Sequence, residues 1–419
     1  MRPSFLNMLA IVVRIGTDSK PVLWNSQSSR LLSGPNTVCS RQRGSPFAFR
    51  VRASHLWVKA MILNVRPENL PAPESPLGRS QWGRLRHLFV ESLSDSSDFS
   101  RRVVMLDPTN GNAAVEAWED LEFPENLQLW IDRYQQVGER SIYLWRWCLF
   151  AVDLMTLSTV DVDERLAVRD TKFLIGMFNC LIDDVADQAH NHRFVQSLLT
   201  LTRGGTPTGE TTNESRLAGF VTEVWEEIWR RASQLPRFFE FQHLLAFDLR
   251  QLCTTVEHSD LTSQLPELVN RIEHDLYSSH GMMVTVAATV DLMASSEFDR
   301  KDLGGLRSVL WHAESMARIG NMISTWEREI ADSDFSSGVF MEAVWQGVVL
   351  PEDLRMENEV PLVRAIIASQ IEGDFLRRWE SHRTHVRELG GILKSIDIED
   401  YIGRLDRLIE SEIFSHGQK

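Results

Sequence analysis

The chain has 419 residues, 43% of them hydrophobic, with 13 Trp and 20 Phe against 4 Tyr, and a formal net charge of −14. That is apolar material for one large core or two smaller ones, and the acidic balance excludes a dedicated nucleic-acid binder, which needs a concentrated basic face to displace counterions. No apolar run is long enough to span a bilayer, and Cys39, Cys148, Cys180 and Cys253 lack any CxxC spacing, which fits reduced thiols in a cytoplasmic protein rather than a disulfide framework or a zinc site.

The first sixty residues are basic and Ser-rich, with Asp18 as their single acid and no sustained helical period. An organelle-targeting peptide and an upstream extension from a non-native start both fit such a segment. The second is preferred, with Met61 as the expected beginning, so residues 1–60 are set apart as a disordered or non-native extension and residues 61–419 form the folded domain. From about residue 77 the periods are helical. GRSQWGRLRHLFVESL places Trp82, Leu85, Leu88 and Phe89 on one face, and the irregular DPTNGN follows. Apolar periods then resume through PENLQLWIDRYQQV and IYLWRWCLFAVDLMTL. A helix over about 162–187 comes next, and the loop RGGTPTGETTNES at 203–215 breaks the chain. Helices are then expected near 216–233, 237–257, 263–293, 302–331, 338–347, 357–387 and 397–412. Strand signals and fixed-period repeats are nearly absent, so the class is all-α.

Two stretches stand out from this background. FNCLIDDVADQAHN, at 178–191, ends an apolar helix in three carboxylates. Asp183 and Asp187, at i and i+4, share a helical face, while Asp184 points about a quarter-turn away. Like charges gathered at a helix C-terminus oppose both one another and the dipole, so they are either left in water or given a cation. Mg²⁺ is the natural partner, since it takes carboxylate oxygen and shares its shell with water and phosphate. The second stretch, ARIGNMISTWEREIADSD at 317–334, carries Asn321, Thr325 and Glu329 at i, i+4 and i+8. An amide, a hydroxyl and a carboxylate on one stripe form an oxygen set suited to a further Mg²⁺. Arg318 and Arg328 flank it, and guanidinium groups suit bidentate capture of phosphate.

Taken together, DDVAD and the N-x3-T-x3-E pattern 138 positions later (321 − 183) resemble the paired metal motifs of class I terpene synthases, DDxxD/E and (N/D)xxx(S/T)xxxE. The resemblance extends in overall plan over about residues 77–412, and its specific part is the two motifs. It implies a single α-helical bundle around a central apolar cavity. Three Mg²⁺ ions at the cavity mouth would bind the diphosphate of a prenyl diphosphate substrate, whose ionisation releases pyrophosphate and an allylic cation that cyclises or rearranges. By matched position, Asp183 and Asp187 would ligate metal, with Asp184 pairing with an arginine. Asn321, Thr325 and Glu329 would hold the third metal, and Arg318 and Arg328 would face the diphosphate. Trp145, Trp147, Phe150, Phe173 and Phe178 are candidate rings for an aromatic cavity wall.

The chain departs from the family in two places. The position where the family carries a diphosphate-sensing arginine is Asp275 here, with Arg271 nearby, and Tyr277 and Gly281 suit a helix break whose free carbonyl faces the cavity, as in bacterial labdane-processing diterpene synthases. The tail DYIGRLDRLIESEIFSHGQK lacks the Arg-Tyr pair of many bacterial sesquiterpene synthases. Both lean toward a C20 substrate, geranylgeranyl or copalyl-type diphosphate, with farnesyl diphosphate as the alternative. A copalyl-type substrate would imply an upstream class II diterpene cyclase, and antiparallel dimers recur in the family, which admits a homodimer. A chain-elongating prenyltransferase would need a second aspartate-rich motif, squalene-type synthases need paired DxxxD, and a class II cyclase needs DxDD, where DVDE at 161–164 falls one residue short. A non-catalytic helical protein retaining the metal ledge is the alternative of another class.

Overall fold

The computed structural model describes residues 10–13, 22–25, 31–32, 118, 120–187, 191–268, 270–331, 337–355 and 360–415. The helix expected around Trp82, Leu85, Leu88 and Phe89 and the DPTNGN stretch lie outside the described residues. The chain forms two compact units, Met1–Ala60 and Met61–Lys419. In the first, three strands, β1 (Ala10–Val13), β2 (Val22–Asn25) and β3 (Leu31–Leu32), pair antiparallel in that order, Ala10 opposite Asn25 and Leu23 opposite Leu32. The sequence reading assigns this segment no regular element because runs as short as AIVV and VLWN carry no readable period.

The described part of the second unit is all-α. Its helices are α1 (Glu125–Tyr134), α2 (Ile142–Leu154), α3 (Arg165–Asp187), α4 (His192–Leu199), α5 (Thr212–Ala232), α6 (Phe238–Gln264) and α7 (Arg271–Tyr277). They continue as α8 (Val284–Met293), α9 (Leu303–Ala331), α10 (Gly338–Trp345), α11 (Val360–Ala368), α12 (Ile371–Gly390) and α13 (Ile398–Phe414). Local chemistry sets many of these starts. The broken loop at 203–215 ends in a reciprocal capping box at α5: Glu214 N donates to Thr211 Oγ1 at 3.1 Å, and Thr211 N donates to Glu214 Oε2 at 3.1 Å. Asn191, Asn270 and Asp397 cap α4, α7 and α13 through side-chain oxygens.

Three corrections to the expected elements follow. Helix α4 stands outside the expected elements, since eight residues are too few for a readable period. The helix expected over 263–293 is divided. Helix α6 runs on to Gln264, Pro266 opens a 3₁₀ turn, α7 restarts after Asn270, and a second 3₁₀ turn, Ser278–Met282, separates it from α8. Met283 closes that break in the left-handed region, φ 54°, where a side chain costs roughly 1–3 kcal/mol. The helix expected over 357–387 is likewise split. At the junction Ser369 Oγ donates to Ile366 O at 2.5 Å and accepts from Ile371 N at 3.2 Å, so its hydroxyl competes with the backbone ladder.

Two long helices act as hubs. Helix α3 packs against α2, α4, α5, α6 and α8, and α9 packs against α8, α10, α12 and α13. Between the hubs lies α8, buried at all ten positions, as an all-round apolar helix must be. Its polar side chains are each tied to a different neighbour. Thr285 Oγ1 donates to Glu314 on α9 at 2.6 Å, and Thr289 Oγ1 donates to Asp248 on α6 at 2.6 Å. Asp291 accepts from Lys172 Nζ on α3 at 2.8 Å. Asp291 and Lys172 are both wholly inaccessible to solvent, and Leu157 N and Thr156 Oγ1 complete their hydrogen bonding. Burying two charges is tolerable only because each is the other's partner with its remaining positions filled.

Replacing Lys172 by Met strands the Asp291 carboxylate in the core, and urea denaturation is expected to show a loss of about 3–5 kcal/mol. The double variant K172M/D291L, which removes both charges, is expected to recover most of that loss.

Candidate active site

Helical phase decides which residues of α3 reach the interior space. Gly176, Asn179, Cys180 and Asp183, at i, i+3, i+4 and i+7, form one stripe along a cavity of about 250 Å³. On α9 the stripe is Ala317, Arg318, Asn321, Thr325, Arg328 and Glu329, lining the same cavity. The structure therefore brings Asp183 together with Asn321, Thr325, Glu329, Arg318 and Arg328 around one chamber. Asp187 is the last residue of α3, and its side chain lies outside the described residues. Apolar side chains of Leu144, Val152, Met155, Met283, Ala287 and Leu408 line the same cavity, together with the hydroxyls of Thr255, Ser259, Thr262 and Ser278.

The second stripe is pre-ordered by its own hydrogen bonds. Thr325 Oγ1 donates to Glu329 Oε1 at 2.6 Å and lies 2.8 Å from Asn321 O, while Arg318 Nη1 donates to Asn321 Oδ1 at 3.1 Å. Glu329 and Thr325 are buried, so the carboxylate sits where solvent screens it little. Arg318 Nε is buried and meets no hydrogen-bond acceptor among the described residues. A guanidinium on a cavity wall with an unspent donor is suited to an anionic occupant.

Asp184 faces away from this stripe. Arg140 Nε donates to Asp184 Oδ1 at 2.7 Å, Arg140 Nη2 lies 2.6 Å from the same oxygen, and the Tyr134 hydroxyl donates to Oδ2 at 3.2 Å. Burial and the neighbouring Asp184 carboxylate push the Tyr134 hydroxyl well above the ordinary tyrosine range, so it remains a proton donor. Arg140 itself lines the cavity. One guanidinium thus neutralises the second aspartate of the motif and borders the chamber beside the first.

Several expected wall residues lie elsewhere. Phe178 is fully buried but packs in a tilted contact on Trp225 at 5.1 Å, because it stands about 100° round the helix from Asn179. Trp145 and Phe173 pack on each other at 5.9 Å, and Phe150 packs on Trp118 at 5.2 Å. Of the five rings singled out in the sequence, Trp147 alone borders the cavity. Tyr277 also lies off the cavity, its ring 5.2 Å from that of His258. Arg271 faces Glu342 at 3.7 Å, and Asp275 accepts from Arg378 at 2.7 Å. Gly281 does border the cavity.

The helix break explains how that segment is held. Freed carbonyls find side-chain donors: Thr255 Oγ1 donates to Tyr277 O at 2.7 Å, and Asn179 Nδ2 donates to Gly281 O at 3.4 Å. The Met283 thioether lies against Gly176, where an added Cβ would stand 3.4 Å from its sulfur. His258 and His274 also line the cavity, and burial lowers the pKa of both, which keeps them neutral near pH 7. Sequence reasoning missed Arg140, Asn179, His258 and His274. Asn179 was recoverable as the i−4 neighbour of Asp183, whereas Arg140 precedes α2 in a loop with no motif.

The donor set suits a hard cation. Asp183, Glu329, Asn321 and Thr325 offer oxygen alone, two of them charged, which matches the preference of Mg²⁺ for carboxylate, amide and hydroxyl oxygen with water and phosphate completing the shell. Among the described residues no group of three or more His, Cys, Asp or Glu side chains forms a closed metal cluster, and no helix is long and apolar enough to cross a membrane.

No protein-family model matches the chain, and no curated protein matches it. Among solved structures, the chain is similar to the linalool/nerolidol synthase of Streptomyces clavuligerus in complex with 2-fluorogeranyl diphosphate. The identity is 13%, the match covers 68% of this chain and 93% of that one, and the TM-score is 0.41.

Near the break, His280 Nδ1 lies 3.0 Å from Glu314 Oε2. The hydrogen bond to Glu314 raises the His280 pKa against the opposing effect of burial, with Asp248 adding to the rise and Arg307 reducing it. A raised histidine pKa stabilises the fold while the ring is protonated. The contribution is therefore full below the ordinary value of about 6.5 and fades as pH climbs through the raised value. Chemical denaturation at a series of pH values between about 6 and 8 is expected to show this loss in the wild type and a flatter profile in His280→Gln.

Proposed function

We propose that the chain is a class I terpene synthase, its catalytic unit spanning residues 61–419, acting by Mg²⁺-dependent ionisation of a prenyl diphosphate. The observation that carries the proposal is one chamber lined both by oxygen ligands with guanidinium groups and by apolar side chains. Asp183 on one hub helix and Asn321, Thr325, Glu329, Arg318 and Arg328 on another border the same cavity as the apolar side chains of Leu144, Val152, Met155, Met283 and Leu408. A diphosphate headgroup on a hydrocarbon tail has the same division of chemistry.

In this reading Asp183, with Asp187, holds metal from α3, and Asn321, Thr325 and Glu329 hold it from α9. When bound, Mg²⁺ supplies Lewis-acid neutralisation of the charge that grows on the departing diphosphate. Arg318 and Arg328 grip diphosphate oxygens, the first through the Nε donor that has no acceptor among the described residues. Arg140 stays with Asp184 and keeps that carboxylate from repelling the headgroup. Ionisation breaks the allylic carbon–oxygen bond, its electron pair leaving with pyrophosphate and an allylic cation remaining in the chamber. Leu144, Val152, Met155 and Leu408 keep water from that cation while it cyclises or rearranges. Cation-facing groups here are mainly thioethers and aliphatic carbons, with Trp147 as the aromatic face.

The substrate proposed is a C20 diphosphate, geranylgeranyl or copalyl-type, on the sequence features around Gly281 and at the tail. The test is incubation of the full chain with Mg²⁺ and geranyl, farnesyl, geranylgeranyl or copalyl diphosphate, followed by mass spectrometry of the organic extract. Hydrocarbon or alcohol is expected from a C20 substrate. Product from farnesyl diphosphate alone would displace the C20 assignment, and product from none would remove the enzyme reading in favour of a non-catalytic protein.

Asp183→Ala and Asn321→Ala are each expected to lower turnover by about 10²-fold or more, with an unchanged helical circular-dichroism spectrum. Full activity in either variant would overturn the metal assignment.

A further inference from the structure

Away from the chamber, three histidines and a tryptophan gather where α9 packs against α12. None of them borders the cavity. Trp311 and His312 belong to α9, while His382 and His385, at i and i+3 on α12, share one face of that helix. His312 Nδ1 stands 2.8 Å from His382 Nδ1, so the two rings present like atoms to each other.

A neutral imidazole carries one N–H and one lone pair, so this contact holds a single proton between two nitrogens and one ring brings a lone pair to it. The neighbours fix the rings. His385 Nδ1 donates to Ser381 O at 2.7 Å, and the same ring stacks on His312 with planes 8° apart and centroids at 4.8 Å. Trp311 meets His382 edge-on at 5.7 Å. His312 and His382 are half-buried and His385 is exposed, which leaves the pair within reach of a small dissolved ion. The other charged groups acting on His382 are Arg378 and Asp275, and Arg378 donates to Asp275 at 2.7 Å, so each of those charges is answered by the other. Burial, with His312 and Arg378 adding to it, pushes the His382 ring down to about 4, and burial lowers His312 as well, so both meet a cation as neutral donors.

We propose that His312 and His382 are a binding site for a divalent late transition-metal ion of tetragonal geometry, Cu²⁺ or Ni²⁺, chelated between their Nδ1 atoms across the α9–α12 interface. The site is independent of the diphosphate reading, whose ion is a hard one held by oxygen.

Imidazole nitrogen suits these ions, whereas Mg²⁺ prefers oxygen. Metal–imidazole bonds are about 2.0 Å long, so nitrogens 2.8 Å apart subtend an angle of about 90° at a shared ion. That is the cis angle of a tetragonal centre. A tetrahedral zinc ion would hold the same two nitrogens about 3.3 Å apart. The ion sits to one side of the line joining the nitrogens, and each ring turns toward it about χ2, a broad and soft torsion. The proton between the rings passes to Nε2 of the ring that carried it, so both ligands stay neutral imidazoles. Two protein donors leave the remaining positions to water, in keeping with a chain whose described residues form no closed group of three.

The test is calorimetric titration of the full chain with Ni²⁺ in excess Mg²⁺, which occupies oxygen ligands and leaves imidazoles free. One-to-one binding in the micromolar range is expected. His312→Gln and His382→Gln should each weaken it by about tenfold or more, with unchanged helical circular dichroism, and Asp183→Ala should leave it as it is. A second measurement needs no variant: with one equivalent of Cu²⁺, electron paramagnetic resonance is expected to show an axial spectrum split by two nitrogens. Absence of Ni²⁺ binding, binding that survives in H312Q/H382Q, or a copper spectrum without nitrogen splitting would overturn the site. Zn²⁺ bound more tightly than Ni²⁺ would overturn the tetragonal assignment.

Discussion

The arrangement depends on how α8 is held between the two hub helices. A helix buried at every position has no amphipathic preference to orient it, so its rotation must come from its few polar side chains. Thr285, Thr289 and Asp291 supply that orientation, each answered by one partner: Glu314 from α9, Asp248 from α6 and Lys172 from α3. Any other rotation would leave buried charges unpaired, an outcome far costlier than a mispacked methyl group. The two helices that carry the acidic motif and the mixed-oxygen motif are thereby registered against a common spacer.

That register turns two sequence patterns into one chamber. Spacings of three, four and seven residues put Asp183 in line with Asn179 and Gly176, and a spacing of four carries Asn321 through Thr325 to Glu329. The same periodicity removes neighbouring residues from the site. Asp184, one position on from Asp183, is taken up by Arg140 and Tyr134, and Phe178, one position before Asn179, is spent on Trp225. The break at 278–283 performs a related task without side-chain periodicity. It stops the helix, turns Met283 into the left-handed region and delivers its thioether against Gly176.

The composition of the wall departs from what an aromatic-rich chain leads one to expect. Most of the rings support the α1–α2–α3 and α3–α5 interfaces from behind, in edge-on and tilted pairs such as Tyr134 with Trp145 and Trp225 with Trp229. The chamber itself is faced by methionines, small aliphatics, Trp147, two thiols, neutral imidazoles, hydroxyls and amides besides its charged side chains. Its charges come from Arg140, Asp183, Arg318, Arg328 and Glu329, and the remaining lining side chains are uncharged.

From the amino-acid order alone, the all-α class, most helix spans after residue 125 and the two oxygen-bearing stripes could be read, because helical period and ligand spacing are properties of neighbours a few residues apart. The order was silent on the division of 263–293, on the partnership of Asp184 with Arg140, and on which rings border the cavity. Each of those joins residues that are distant in sequence, or depends on which way a buried helix is turned. Backbone carbonyls at the break are satisfied by Thr255 and Asn179, and α8 is oriented by Lys172, Asp248 and Glu314. Local pattern determined what each helix could present. Long-range packing decided toward what it presented it, because a helix can satisfy its period at any rotation, whereas its buried polar groups can be satisfied at only one.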